Sequence, residues 1–278
     1  MRKFKITILI ALAVIFQSCK KDPNLESNSS ITKRSPIGLF NIGTTVYDGY
    51  VIYTAQCESW RDTSNAIHHR VYYQGNANFY DNLISQGLNA GNVSWGSIVL
   101  QPDSIRYGRW TYAFSHANSI DSTNTSQFGG TTSFDVAGGS GFSNTNISMY
   151  VPEEIYLIPE NYNYATSVIK SALLPKQIFW NKDANNHEGV EVMVEYNGFR
   201  SNLKNSSFSS ASFFNDPVNV PDNGMCSITS TMLTGIPFGS IITIHVGRST
   251  EKTVTDASGK VVVVTGMAYT SQDYVYEQ

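Results

Sequence analysis

Charge is scarce in this chain. Asp, Glu, Lys and Arg make up 15% of its 278 residues, against about 25% in an ordinary soluble domain, and the formal balance is −3. No basic stripe interrupts that balance, so the phosphate neutralisation that drives nucleic-acid binding is missing and no nucleic-acid partner is expected. Three cysteines, Cys19, Cys57 and Cys226, are too few for a disulfide scaffold. Long apolar runs are also missing. The longest, Ile6 to Phe16, falls well short of the ~20 residues that a spanning helix needs.

Recognisable catalytic and metal motifs are equally thin. The nearest approach to a G-x-S-x-G elbow is GGSGF, with Phe142 in the last glycine position, and it reads as a loop. The five histidines are His68, His69, His116, His187 and His245. His68 and His69 are adjacent on an expected strand and so point to opposite faces. His245 reads as a satisfied sheet histidine. In NKDANNHEG, Asp183, Asn185 and His187 alternate as calcium ligands would. Glu188 and Val194 stand where an EF-hand needs Gly and Glu, so a polar hairpin loop is the better reading. Glu191 and Glu195 share a strand face but lie ~13 Å apart, too far for a glycosidase pair. Other carboxylate pairs, such as Glu153 or Asp135 with Asp62, depend on the fold. Neither a catalytic residue nor a metal ligand nor a cofactor is assigned.

What is abundant is strand. TTVYDGYVIYTAQ, AIHHRVYYQ, VSWGSIVLQP, RWTYAFSH, TTSFDVAG, QIFWN, VEVMVEYNG, SIITIHVG and KVVVVTGMAY are rich in β-branched and aromatic residues. Turn chemistry separates them at Gln74-Gly75-Asn76, Gly138-Gly139-Ser140-Gly141, Asn197-Gly198 and Asp256-Ala257-Ser258-Gly259. In VEVMVEY, Val190, Val192 and Val194 face one way, while Glu191, Met193 and Glu195 face the other, as in a half-buried antiparallel strand. Two short helices are expected, in NFYDNLISQG and in ATSVIKSALLP before Pro175.

The first residues have three parts: positive Arg2, Lys3 and Lys5, the apolar run, and then Gln17-Ser18-Cys19. This order reads as a cleavable secretory signal, and its end resembles the lipobox of bacterial lipoproteins. That resemblance implies cleavage after Ser18, acylation of Cys19 and a membrane partner reached through the lipid. Several acyl chains hold stably where one holds marginally. Lys20 rather than Asp after the cysteine implies the outer membrane, by resemblance to lipoprotein sorting. Removing residues 1–18 takes away three positive charges and moves the balance from −3 to −6. Residues 19–36 are polar and aperiodic and read as a flexible tether. Within it, Asp22 and Glu26 resemble a thin surface-export signal of Bacteroidota lipoproteins. Cys57 and Cys226 are then left, and the reading leans towards free thiols over a bridge.

The fold expected is all-β: two β-sandwich-like domains, residues 37–150 and 151–278. Pro152 and Pro159 bracket the connector, and the second half holds about seven strand candidates. Tyr150-Val151-Pro152, Phe179-Trp180-Asn181-Lys182-Asp183 with Asn186, Asp222-Asn223-Gly224 and Gly235-Ile236-Pro237-Phe238-Gly239-Ser240 resemble uncharacterised Bacteroidota envelope lipoproteins. The resemblance implies an Ig-like or fibronectin-like C-terminal domain with Trp180 as its buried tryptophan, and implies no activity.

Aromatic residues crowd between Tyr47 and Phe114. Trp110, Tyr112 and Phe114 share one strand face, and Trp60 and Trp95 stand in or beside loops. Such rings either fill a core or stack on sugars. Trp60, Trp95, Trp110 and Tyr112 are therefore the candidate ligand-binding residues. The function expected is non-catalytic binding of a glycan or a partner protein by an envelope lipoprotein. A structural subunit of an envelope complex and a polysaccharide-active enzyme are the alternatives.

Overall fold

A computed structural model describes residues 47–81, 86–106, 109–116, 127–159 and 167–278; side chains at 80, 81, 86, 101–106 and 109–116 fall outside the description. Cys19, the signal and the tether lie outside the described residues, as do the side chains of Trp110 and Tyr112.

The described chain is mostly β. β1 (Gly49–Arg61) and β2 (Ile67–Asp81) form a long hairpin. Its turn is set by Asp62, whose Oδ1 accepts from the backbone N–H groups of Ser64 and Ala66, with Asn65 in the left-handed region at φ 69°. Such side-chain capture is what favours Asp in turns. The turn expected at Gln74-Gly75-Asn76 is instead mid-strand, with Gly75 in register with Tyr53. Of the helix expected over NFYDNLISQG, Asn78 to Asp81 instead continue β2, where alternation buries Phe79 fully, and residues 82–85, with Leu83 and Ile84, lie outside the described residues. β3 (Gln86–Gly87) pairs with the end of β2.

VSWGSIVLQP divides at Gly96 into β4 (Val93–Trp95) and β5 (Ile98–Arg106). At Gly96 φ is +54°, a left-handed conformation that side-chain-bearing residues rarely adopt, and an added Cβ would also displace the Gln127 amide, so the turn favours glycine. β6 (Arg109–His116), β7 (Gly130–Val136) and β8 (Thr145–Val151) follow. In ATSVIKSALLP the β-branched residues prevail, giving β9 (Ser167–Lys170) and then one 3₁₀ turn, Ser171–Leu173.

β10 (Lys176–Phe179) precedes β11 (Val190–Tyr196). Asn197-Gly198, expected as a turn, instead begins helix α1 (Gly198–Lys204), with the Asn197 side chain accepting from Arg200 N–H. β12 (Phe213–Phe214), β13 (Val218–Val220) and β14 (Met225–Ile228) are short. β15 (Ile241–Thr255) and β16 (Val261–Glu277) form a long hairpin across the expected Asp256 to Gly259 turn.

One sheet carries the order β12-β11-β15-β16-β1-β2-β6-β5-β4-β7-β8; β10 and β14 form a separate pair. The sheet runs without a break across residue 150, because β1 lies parallel to β16, with Val51 beside Val264 and Ala55 beside Ala268. It also folds back on itself. Val151 on β8 and Trp95 on β4, near one end of the order, reach Gly266 in the middle. The inward residues of β1, β2, β15 and β16 pack there against Trp95, Phe134, Val136, Ile147 and Val151.

In β11, Val190, Val192 and Val194 point into this core as expected, but Glu191 and Met193 are buried too, at 1% and 2% exposure. Only Glu195 keeps the half-exposed character foreseen for that face. Trp180 is buried, on an isolated bridge to Leu157 rather than within a strand. Cys57 and Cys226 are both buried and free.

Candidate functional site

The outward face of the sheet opposes that core, and alternation decides what stands on it. On β1 the outward residues are Gln56, Glu58 and Trp60; on β2 they are His68, Arg70 and Tyr72, in register as Gln56 with Tyr72, Glu58 with Arg70 and Trp60 with His68. Trp60 is half-buried. Its ring stacks on His68 at 5.5 Å between centroids, and Arg70 Cζ lies 5.8 Å from its centroid. Arg70 also donates to Tyr72 Oη at 3.1 Å, and that hydroxyl faces Glu58 Oε2 at 3.5 Å. His68 Nε2 reaches Asp62 Oδ2 at 2.7 Å. Hydrogen bonds from Ser64 and His68 hold the Asp62 carboxyl well below the ordinary carboxylate range.

The row continues onto β16, β15 and β11. Tyr269 Oη donates to Gln56 Oε1 at 3.1 Å across the parallel ladder, whose last pair is Cys57 with Thr270. The next outward residue of β16 is Ser271, paired with His245 on β15. Ser271 Oγ lies 2.8 Å from His245 Nδ1, and His245 Nε2 lies 2.9 Å from Glu195 Oε2. Beside them, Thr243 Oγ1 donates to Asp273 Oδ1 at 2.6 Å, Arg200 pairs with Asp273, and the Phe214 ring stands 6.0 Å from that of His245. Five neighbouring strands, about 19 Å from first to last at the usual spacing, thus present charge, amide, hydroxyl and aromatic groups on one face.

No known protein family, curated protein or solved structure matches this chain.

Of the four candidate binding residues, the structure places Trp60 on this face. Trp95 is a core residue. Its indole is fully buried, 5.3 Å from the Tyr53 ring and 5.8 Å from that of Phe134. The physical reason is the Gly96 turn, which makes Ser94 the residue that points away and sends Trp95 inward with Val93. Trp110 and Tyr112 lie on β6, whose side chains are outside the described residues. His69, on the inward side of β2, contacts Ser59 and the Tyr156 ring; burial, with His68 beside it, lowers its pKa.

Behind the face lies a buried polar network. Arg248, with no exposure, donates to Asp222 Oδ2 at 2.8 Å and to the Asn181 carbonyl, and stands 3.7 Å from Asp183. Asp183 accepts from Tyr150 Oη and from the backbone N–H groups of Glu153 and Asn185. Those bonds occupy the first of the three residues tested above as calcium ligands. Glu154 accepts from Tyr73 Oη at 2.5 Å, and burial raises its pKa. Among the described residues, no group of three or more His, Cys, Asp or Glu is disposed to hold a metal ion.

Local pattern does not reveal Ser271 or the link from His245 to Glu195, but hairpin register carries a signal. Counting outward from the closing pair Thr255–Val261, ten steps along each strand bring His245 and Ser271 face to face.

Proposed function

We propose that this chain is an envelope lipoprotein, held at the outer membrane through acylated Cys19, that binds a glycan on the outward sheet face around Trp60. The observation that carries the binding half is the Trp60 cluster. A half-buried indole fixed on a long hairpin stands among Glu58, Arg70, Tyr72 and Gln56, which pairs apolar ring surface with hydrogen-bonding groups at its rim. Sugars need both. The anchor rests on the order of basic residues, apolar run and Ser18-Cys19 in the sequence. Back-folded layers and a buried Trp180 support the sandwich-like, Ig-like or fibronectin-like part of the expected fold, while the boundary at residue 150 draws no support from a sheet that joins β1 to β16.

The test uses the full-length protein in detergent on a glycan array. Binding that Trp60→Ala abolishes supports the reading; a protein that retains no glycan at all overturns it. Intact-mass analysis checks the anchor, which requires added acyl mass at Cys19 that is absent from Cys19→Ala.

A second reading, a structural subunit of an envelope complex, is favoured by the β12–β13 edge. Phe213, Phe214 and Val218 are exposed there, and uncovered strand edges invite pairing with another chain. In-cell crosslinking from Val218 that captures one fixed neighbour would favour it over the glycan reading.

A further inference from the structure

We propose that Ser271, His245 and Glu195 form a nucleophile, base and positioning carboxylate that hydrolyse a carboxylic ester. The proposal stands on different residues from the Trp60 cluster and goes beyond binding.

Three observations carry it. The hydrogen-bond order is that of an activated serine: hydroxyl to one ring nitrogen at 2.8 Å, the other ring nitrogen to a carboxylate at 2.9 Å. Such a constellation is recognised by geometry and roles, and it needs no glycine elbow. Because Glu195 can only accept when ionised, His245 carries its proton on Nε2. Nδ1 is then left with the lone pair that takes the Ser271 proton. Second, the three residues are held by three adjacent strands, with Ser271 directly opposite His245 and Glu195 paired with the neighbouring outward residue, Thr243. A rigid ladder fixes these distances better than a loop would. Third, access is graded as catalysis requires. Ser271 is exposed, while the side chains of His245 and Glu195 keep 19% and 18% of their exposure.

The surroundings narrow the substrate. Arg200 pairs with Asp273, which stands two residues, about 7 Å of strand, along from Ser271, and so brings a guanidinium to the same face to attract developing negative charge. A pair of backbone donors in an elbow is not part of this site, so transition-state stabilisation is modest and the leaving group must be good. An alkoxide meets that requirement better than an amide nitrogen.

Ser271 Oγ bonds to the carbonyl carbon while its proton passes to His245 Nδ1. Collapse breaks the ester C–O bond, and the same proton goes to the departing alkoxide, releasing an alcohol and leaving acyl-Ser271. Water then attacks the acyl carbon, giving one proton to Nδ1, and that proton returns to Ser271 Oγ as the carboxylic acid leaves.

A fluorophosphonate probe tests this without any sugar, so its outcome is separate from that of the glycan experiment. Attack forms a Ser271 O–P bond and releases fluoride, with the hydroxyl proton leaving through His245. With full-length protein in detergent, peptide mapping should place the label on Ser271, and Ser271→Ala should abolish it with an unchanged melting temperature. His245→Gln should slow labelling on the order of 100-fold or more. Glu195→Gln should also slow labelling, by less than His245→Gln does and with an unchanged melting temperature, a combination that lost packing alone would not give. Absence of label, a label mapped elsewhere, or His245→Gln labelling at the wild-type rate overturns the proposal.

Discussion

A Cβ placed on Gly266 would lie 3.0 Å from Cγ1 of Val151 and 3.1 Å from its Cγ2. These two residues mark where the sheet folds back on itself, and their contact leaves no room for a side chain. Gly266→Ala is therefore expected to cost about 1–3 kcal/mol through overpacking. Urea unfolding of Gly266→Ala and of Gly266→Ala/Val151→Ala measures it, and the double variant should recover part of the loss. Equal stability of wild type and Gly266→Ala would mean that the two layers are not held this closely.

The tryptophans separate core from face. Trp95→Ala should destabilise by about 3–5 kcal/mol, since the indole is fully buried between Tyr53 and Phe134. At temperatures where the variant is folded, its glycan binding should match wild type. Trp60→Ala should do the opposite, losing binding while its melting midpoint moves far less. Paired melting and binding curves distinguish the two.

Arg248 neutralises buried carboxylates, so its removal should be expensive. Arg248→Met leaves Asp222 and Asp183 without their cation, and breaking a buried pair in this way costs about 3–5 kcal/mol. Asp222→Asn added to Arg248→Met should restore part of that stability, because one uncompensated charge is then gone. Denaturant midpoints of the four proteins in the cycle give the coupling.

Glu154 gives stability a pH dependence. Burial raises its pKa above the ordinary 4.5, against the hydrogen bonds from Tyr73 and Tyr156 that favour the ionised form. Its proton is thus held more tightly in the folded state. The associated stability is complete below pH 4.5 and is lost as pH rises through the raised folded value. Glu154→Gln, which cannot ionise, should lack that fall. Urea midpoints at pH 4 and pH 7 for both proteins isolate this contribution from those of other carboxylates, and equal slopes would remove the argument.

Local pattern carried much of the fold into the sequence. The strand identity of VEVMVEY, SIITIHVG and KVVVVTGMAY, the Asp256 to Gly259 turn and the opposite facing of His68 and His69 follow from period-two alternation and turn chemistry. What stayed hidden was long-range. Gly75 looks like a turn until its partner Tyr53 is known, and Asn78 to Asp81 look helical until Phe79 is seen filling a core. Trp95 neighbours a loop, and loop proximity does not reveal the pleat that turns it inward. The candidate face was half legible. Trp60 was singled out, whereas Ser271 and Glu195 converge on His245 only through the pairing of three strands.

The parallel seam between β1 and β16 has a consequence for biogenesis. Val261 N–H donates to Asp48 Oδ2 across 213 positions of chain, and β16 is at once the neighbour of β1 and of β15. Until β16 has left the ribosome, neither β1 nor β15 has it as a neighbour, so closure of the sheet waits on residues 261–277. A copy cut short before residue 261 would leave both of those strand edges open to proteases.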